Sequence, residues 1–289
     1  MMKLRTLPIV FGAALLSAAC SGQSAETPPL SESPTGLSDL QIAVASADFE
    51  TGAPRVPLIL FNGTERVADV QSLQIATFDL AGGTPTATGW SGAAENFSDY
   101  EVPYWVVYPE IPAAGYWGLS ANVALADGSH VQAQFVIETV AEAPGPQPGD
   151  PAPASYNRTL ATERDIALLS SAFEPVPALY EQTVADALAT GRPTVVAFST
   201  PAFCQTQLCA PVLDSVESVY ADFGDRANFI HIEVYKDFET FEFADEMTEW
   251  DLNSEPWVFL IDADGAVAAR FGGPLSPREL TAALQPLLD

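Results

Sequence analysis

Two cysteines five positions apart, Cys204 and Cys209, are the residues of this 289-residue chain best placed to do chemistry. They lie in the stretch FSTPAFCQTQLCAP, which begins at Phe198. On one regular helix their Cα atoms would stand about 8.7 Å apart, beyond the roughly 7 Å that a disulfide spans. The pair closes only if Cys204 sits in the loop before the helix and the chain makes an extra turn between the two. Pro201 favours such a non-helical approach, because the residue before a proline avoids the α region. A sulfur near a helix N-terminus has its thiolate stabilised by the dipole and the free N–H groups. Cys204 is therefore the candidate attacking thiol of a redox pair and Cys209 the resolving thiol. A structural disulfide or two inert thiols in a module that only binds, and a metal-handling pair, are the competing readings.

The elements around the pair alternate strand and helix. Residues 175 to 190 read as helical. Pro193 to Phe198 form a continuous β-branched and apolar run, as in a strand buried on both faces. Leu208, Val212, Val216 and Val219 make a helical stripe. Residues 228 to 234 (NFIHIEV) are a second buried strand, in which His231 fits a buried or edge position better than a ligand role. Residues 239 to 249 read as an acidic helix, 257 to 261 as a third strand, and 266 to 271 as a fourth, after the turn Asp262-Ala263-Asp264-Gly265. Ser276, Pro277 and Glu279 mark a helix start with a capping box. Trp250 and Trp257 read as core residues. The order is β-α-β-α-β-β-α.

That order, with the cysteines opening the first long helix after a buried strand, resembles a thioredoxin-like domain. The loop is similar to that of bacterial secreted or lipid-anchored thioredoxin-domain proteins, which reads TPAFC, then four residues and a second cysteine. Thioredoxins themselves place two residues between the cysteines, where this chain has four. The stretch NSEPWVFLIDADG resembles the family's cis-proline segment, which makes Pro256 that proline and gives it the role of docking a substrate backbone. In this fold the residue before it faces the sulfurs. The resemblance thus implies that Glu255 raises the thiol pKa by like-charge repulsion, with a solvent-facing glutamate as the alternative. Copper chaperones of the same fold carry Cys-x3-Cys and a late loop histidine, and neither the spacing here nor the position of His231 matches. The peroxiredoxin order Pro-x3-Thr-x2-Cys is absent, as are a convincing Ser-His-Asp set and a Gly-rich phosphate loop. The resemblance covers about 130 residues and implies no cofactor and no bound metal.

The remaining cysteine, Cys20, ends the opening MMKLRTLPIVFGAALLSAAC. Lys3 and Arg5 form a basic n-region, and residues 7 to 19 an apolar stretch too short to span a membrane. Small residues before a cysteine resemble the lipobox of bacterial lipoproteins. The resemblance implies removal of residues 1–19 and a lipid on Cys20. Ser21 resembles the outer-membrane sorting choice of Gram-negative bacteria. Residues 20–37 are polar and Pro/Ser-rich, as in a tether. The chain carries 38 acids against 11 bases, a net charge of -27, which excludes a phosphate backbone as partner. Hydrophobic residues at 48% are enough to build cores.

Residues 38–140 read as antiparallel β. Alternating runs from Trp117 to Leu125 and from Val131 to Ile137 flank Asp127-Gly128, a hairpin signal. Further strands are expected at 40–45, 56–61, 70–80 and 104–108. Short strands and frequent turns suggest a small β-sandwich of immunoglobulin or fibronectin type III kind. Its aromatics, including Tyr100, Tyr104, Trp105, Tyr108, Tyr116 and Trp117, read as packing, with a sugar- or peptide-binding face as the alternative. His130 reads as a solvated strand residue. Residues 141–155 are proline-rich, with five prolines and two glycines from 142 onward, and read as a semi-rigid spacer. The sequence thus predicts an N-terminal all-β sandwich and a C-terminal α/β thioredoxin-like domain (156–289), lipid-anchored in the cell envelope on the periplasmic or extracellular side. Its expected partners are the thiols or disulfides of envelope proteins. The alternative is a non-enzymatic binding or assembly lipoprotein on the same scaffold and, less favoured, a copper-handling chaperone.

Overall fold

Residues 40 to 140 supply ten strands: β1 (Leu40–Val44), β2 (Phe49–Glu50), β3 (Val56–Asn62), β4 (Glu65–Arg66), β5 (Val70–Asp79), β6 (Thr86–Ala93), β7 (Glu95–Phe97), β8 (Tyr104–Val107), β9 (Gly115–Leu125) and β10 (His130–Val140). The structure is a computed structural model that describes residues 40–289; Cys20, the leader 1–19 and the tether lie outside the described residues. One sheet runs β1-β3-β8-β7 with β4 paired to β3, and the other runs β2-β10-β9-β5-β6. The β9–β10 hairpin turns at Asp127-Gly128. There Gly128 takes φ 84°, and the Asp127 carboxylate accepts the Ser129 N–H and O–H. Trp117, Leu119, Ala121 and Val123 point inward from β9 and share one core with Leu58, Leu60, Trp105 and Val107 of the facing sheet. β6 was not foreseen: Thr86 to Ala93 is poor in strand formers and exposed, and pairing with β5 makes it a strand.

β3 and β8 are apolar on both faces. Leu58, Leu60, Trp105 and Val107 fill the inter-sheet core. Ile59, Tyr104 and Val106 point outward into a second cluster with Phe97, Val102 and Leu208. An unbroken apolar run on an antiparallel strand signals that both faces are covered, and here residues from beyond 156 provide the cover.

Those later residues form α1 (Val184–Leu188), β11 (Thr194–Ser199), α2 (Cys209–Phe223), β12 (Asn228–Glu233), β13 (Tyr235–Asp237), β14 (Glu242–Phe243), α3 (Asp245–Glu249), β15 (Trp257–Ile261), β16 (Val267–Gly272) and α4 (Pro277–Leu284). The sheet order is β12-β11-β15-β16. β11 is parallel to β12 and antiparallel to β15. Val195 and Ala197 face a core with α2 and α4, whereas Val196 and Phe198 face one with α1 and Trp250. Trp257 is buried too.

Two helix expectations need correction. The span 175–190 is a 3-10 turn at Pro177–Tyr180 and then α1, because Thr183 is extended and caps a new helix by accepting the Asp186 N–H. In the span 239–249 only Asp245–Glu249 is helical. The residues before it form the β13–β14 hairpin, turned by the Asp237 carboxylate accepting the Glu239 and Thr240 N–H groups. The capping box at α4 is half made. Ser276 accepts the Glu279 N–H, but the Glu279 carboxylate turns away to the paired sheets. It receives Arg55 Nε at 2.7 Å, Arg55 Nη2 at 2.8 Å and the Tyr104 hydroxyl at 2.6 Å. Arg55 also donates to the carbonyls of Gly272 and Pro274, and the Ser276 N–H goes to Tyr104 Oη. The proline-rich stretch lies along β16. Gly149 donates to the Val267 carbonyl, Val267 to that of Asp150, and Ala152 to that of Gly265.

Candidate functional site

β11 ends at Ser199 and α2 begins at Cys209, so residues 200–208 form the loop that carries Cys204. Gln207 takes φ 60°. This left-handed residue supplies the extra turn that the five-residue spacing demands, and Cys204 and Cys209 are joined as a disulfide with Cα atoms 5.9 Å apart. Cys209, in the first turn of α2, is fully buried, while Cys204 is half-buried. The Cys209 N–H donates to Cys204 Sγ at 3.3 Å, and the Thr206 hydroxyl lies 3.2 Å from the same sulfur. Cys204 is thus the reachable sulfur, at a helix N-terminus, and Cys209 the protected one.

The Glu255–Pro256 peptide is cis and leads into β15. A Glu255 carboxylate oxygen and the two sulfurs lie within 4.8 Å of one another. Burial raises the Glu255 carboxyl above its ordinary range. With the disulfide reduced, two thiols and this carboxylate are the side chains here that could hold a metal ion. A cleft of about 350 Å³ opens beside the disulfide. Thr206, Leu208, Glu255 and Pro256 form one wall, and Ala43, Ala45, Ile59, Phe61 and Arg66 the other. At its end Gly273, at φ +78°, packs on the Ala45 carbonyl where a Cβ would collide.

Three residues support the site through contacts that the sequence does not report. Leu208, inside the Cys-x4-Cys loop, is buried with Ile59, Phe97 and Val106. Tyr100 donates to the Pro211 carbonyl of α2. Glu233, at the end of β12, accepts the Ser171 N–H at 2.8 Å, and Ser171 Oγ accepts the Ala202 N–H at 3.1 Å, which holds the loop two residues before Cys204. The sequence pattern places Leu208 in a helical stripe, whereas it is the residue before α2, and Tyr100 among packing aromatics; nothing in the sequence marks Glu233.

The histidines stand apart from this chemistry. His231 is buried between the Tyr180 hydroxyl (2.7 Å) and Ser199 Oγ (2.9 Å), and burial pushes its pKa down to about 4. It is a neutral internal group. His130 is exposed beside Asn122. Among the early aromatics Tyr104, Trp105 and Trp117 are buried, whereas Tyr108 and Tyr116 are exposed on separate strand ends.

No protein-family model matches the chain, and no curated protein does. Among solved structures, CopC from Methylosinus trichosporium OB3b is 17% identical over 34% of this chain and 88% of its own, with a TM-score of 0.25. A thiol:disulfide interchange protein of the thioredoxin family from Chlorobium tepidum TLS is 16% identical over 42% of this chain and 96% of its own, with a TM-score of 0.32. Murine CRIg is 8% identical over 35% of this chain and 93% of its own, with a TM-score of 0.22. At these TM-scores the likenesses carry no argument for this chain, whose site is read from its own geometry.

Proposed function

We propose that the protein exchanges disulfides with the thiols of envelope proteins through Cys204 and Cys209. In this reading residues 156–289 are a thioredoxin-like domain following an immunoglobulin-like sandwich, and a lipid on Cys20 holds the chain to the membrane. The observation that carries it is the asymmetry of the disulfide: a half-buried Cys204 joined to a fully buried Cys209 at the start of α2. A purely structural disulfide gains nothing from leaving one sulfur reachable at a helix N-terminus.

The step balances within the two partners. A partner thiolate attacks Cys204 Sγ, the Cys204–Cys209 bond breaks, and Cys209 leaves as thiolate, stabilised by the N-terminus of α2. A second partner thiolate attacks the partner sulfur of the mixed disulfide and releases Cys204 as thiolate. The partner leaves with a disulfide and the protein with a dithiol, and the reverse sequence reduces a partner disulfide. Pro256 and the Glu255 backbone form the ledge on which the partner segment lies.

The test is a glutathione-buffer titration of the full chain, which should give a single two-electron couple, with mixed-disulfide trapping as its companion. Cys209→Ser should accumulate partners on Cys204, and Cys204→Ser should accumulate none. A pair that stays oxidised or reduced across the whole range, with nothing trapped, returns the function to a binding scaffold. One observation favours a second reading, copper handling: the reduced pair and Glu255 would place two sulfurs and a carboxylate within 4.8 Å. Cu(I) competition against a chromophoric chelator, run on the reduced chain and on Cys204→Ser, checks it.

A further inference from the structure

Phe203, the residue before Cys204, begins a continuous row of rings. It packs on Phe238 and on Phe241, each with centroids 5.3 Å away. Phe241 meets Tyr235 at 5.4 Å, and Tyr235 stacks on Phe243 at 5.3 Å. The row ends in water: Phe241 is 48% exposed and Phe243 51%. Two exposed rings that pack on one buried ring, Tyr235, form a contiguous apolar patch of the kind that marks an interaction surface. Phe241 also sits at φ 55°, a conformation that bulky side chains avoid, and this backbone holds its ring against Phe203. The rest of the hairpin is acidic. Asp237, Glu239 and Glu242 are exposed around the rings, and Glu255 stands at the sulfurs. The hairpin's one cation, Lys236, is engaged by Glu242 at 2.8 Å and Asp245 at 2.7 Å.

We infer that the β13–β14 hairpin is the platform on which exchange partners dock, and that it selects a basic segment whose cysteine neighbours an aromatic or aliphatic side chain. The inference rests on the exchange reading above and names the partner's chemistry. An apolar side chain next to the partner cysteine lies on Phe241 and Phe203 as its sulfur reaches Cys204. Basic side chains meet Asp237, Glu239 and Glu242. The same basic side chains increase the partner's thiolate fraction, so the surface recruits the cysteines that react fastest.

The experiment uses the oxidised full chain and synthetic peptides that carry one cysteine beside phenylalanine, flanked by two arginines or by two glutamates. Attack on Cys204 is followed by stopped flow. At low salt the arginine peptide should react about tenfold faster, at the lower end of what electrostatic steering provides, and the gap should close at high salt. The whole chain is acidic, so two triple variants separate the hairpin from the net charge: Asp237→Asn/Glu239→Gln/Glu242→Gln, and Asp69→Asn/Glu110→Gln/Glu138→Gln on the paired sheets. The hairpin triple should lose most of the preference and the other should keep it. Equal loss in both, or no loss in either, overturns the platform. Phe241→Ser with Phe243→Ser should also erase the advantage of a phenylalanine peptide over its glycine counterpart, and an unchanged ratio overturns the aromatic part. Wild-type protein that fails to exchange even with dithiothreitol refutes the exchange reading itself, and the docking proposal with it.

Discussion

Replacing Glu255 by glutamine should make Cys204 more reactive. The carboxylate oxygen and both sulfurs lie within 4.8 Å. Two unit charges at that distance interact by about 0.9 kcal/mol in bulk water and about 3.5 kcal/mol at an effective dielectric of 20. A half-buried carboxylate beside a half-buried sulfur falls nearer the first, and we take about 1.4 kcal/mol, a tenfold change in an ionisation constant. The sign follows from like charges: ionised Glu255 opposes formation of the Cys204 thiolate, and glutamine removes the opposition. In the reduced Glu255→Gln protein, iodoacetamide should alkylate Cys204 about tenfold faster at neutral pH, through a larger thiolate fraction. The reduced state gains free energy only in proportion to its thiolate, so the couple should become more oxidising as the pH rises past the Cys204 pKa, by at most about 30 mV. Burial raises the Glu255 carboxyl, so the wild-type carboxylate is lost early on acidification, and the two proteins should converge at low pH. A variant that alkylates no faster than wild type, or a difference that does not narrow in acid, refutes the electrostatic role of Glu255.

The ion pair between Arg55 and Glu279, with both side chains less than a tenth exposed, should be costly to break. Glu279→Ala leaves a buried guanidinium unpaired and should cost about 3–5 kcal/mol in urea unfolding; a loss below about 1 kcal/mol would show that the pair is not desolvated. His231 titrates near 6.5 when unfolded and near 4 when folded. The unfolded chain therefore takes up the proton first, and the stability contributed by neutral His231 is present above pH 6.5 and lost as the pH falls toward 4. The difference between the pH–stability curves of wild type and His231→Gln isolates this contribution, and parallel curves would count against it. Cys20→Ser should move the protein out of the detergent phase or leave it unprocessed, and an intact mass showing no acyl chains on Cys20 in the wild type sinks the anchor.

What the sequence made legible was local. The Asp127-Gly128 hairpin, the buried strands around Phe198, Ile230 and Phe259, and the start of α4 at Ser276 each rest on residues within one turn or strand. The need for an extra turn before Cys209 was also legible, because helix geometry alone forbids the five-residue bridge, and Gln207 supplies that turn. The failures were tertiary. Glu279 has the spacing of a capping-box residue, but Arg55 lies 224 positions away and offers its carboxylate two charged donors in place of one backbone N–H. Residues 239–244 have helix-compatible acids, but contacts among Phe238, Phe241, Phe243 and Tyr235 favour a hairpin. The proline-rich stretch has no apolar pattern, yet its backbone groups find partners on β16, which no period in the sequence reports.

Leu208 gives the four-residue spacing a physical rationale. The two residues beyond a Cys-x2-Cys loop carry the chain far enough to bury Leu208 against Ile59, Phe97 and Val106 before α2 begins. Cys209 is thereby fixed from two directions, by the helix that it opens and by the apolar neighbour before it, with Tyr100 holding Pro211 two residues further on. Gln205, Thr206 and Gln207 have no such hold and are exposed. Breaking the disulfide therefore frees Cys204 to Gln207, between Phe203 packed on the β13–β14 hairpin and the buried Leu208, and leaves the Cys209 side in place. An attacking sulfur must move to meet a partner, while a resolving sulfur must stay where the mixed disulfide will return to it. The paired sheets enforce that division of labour by gripping the loop at one end only.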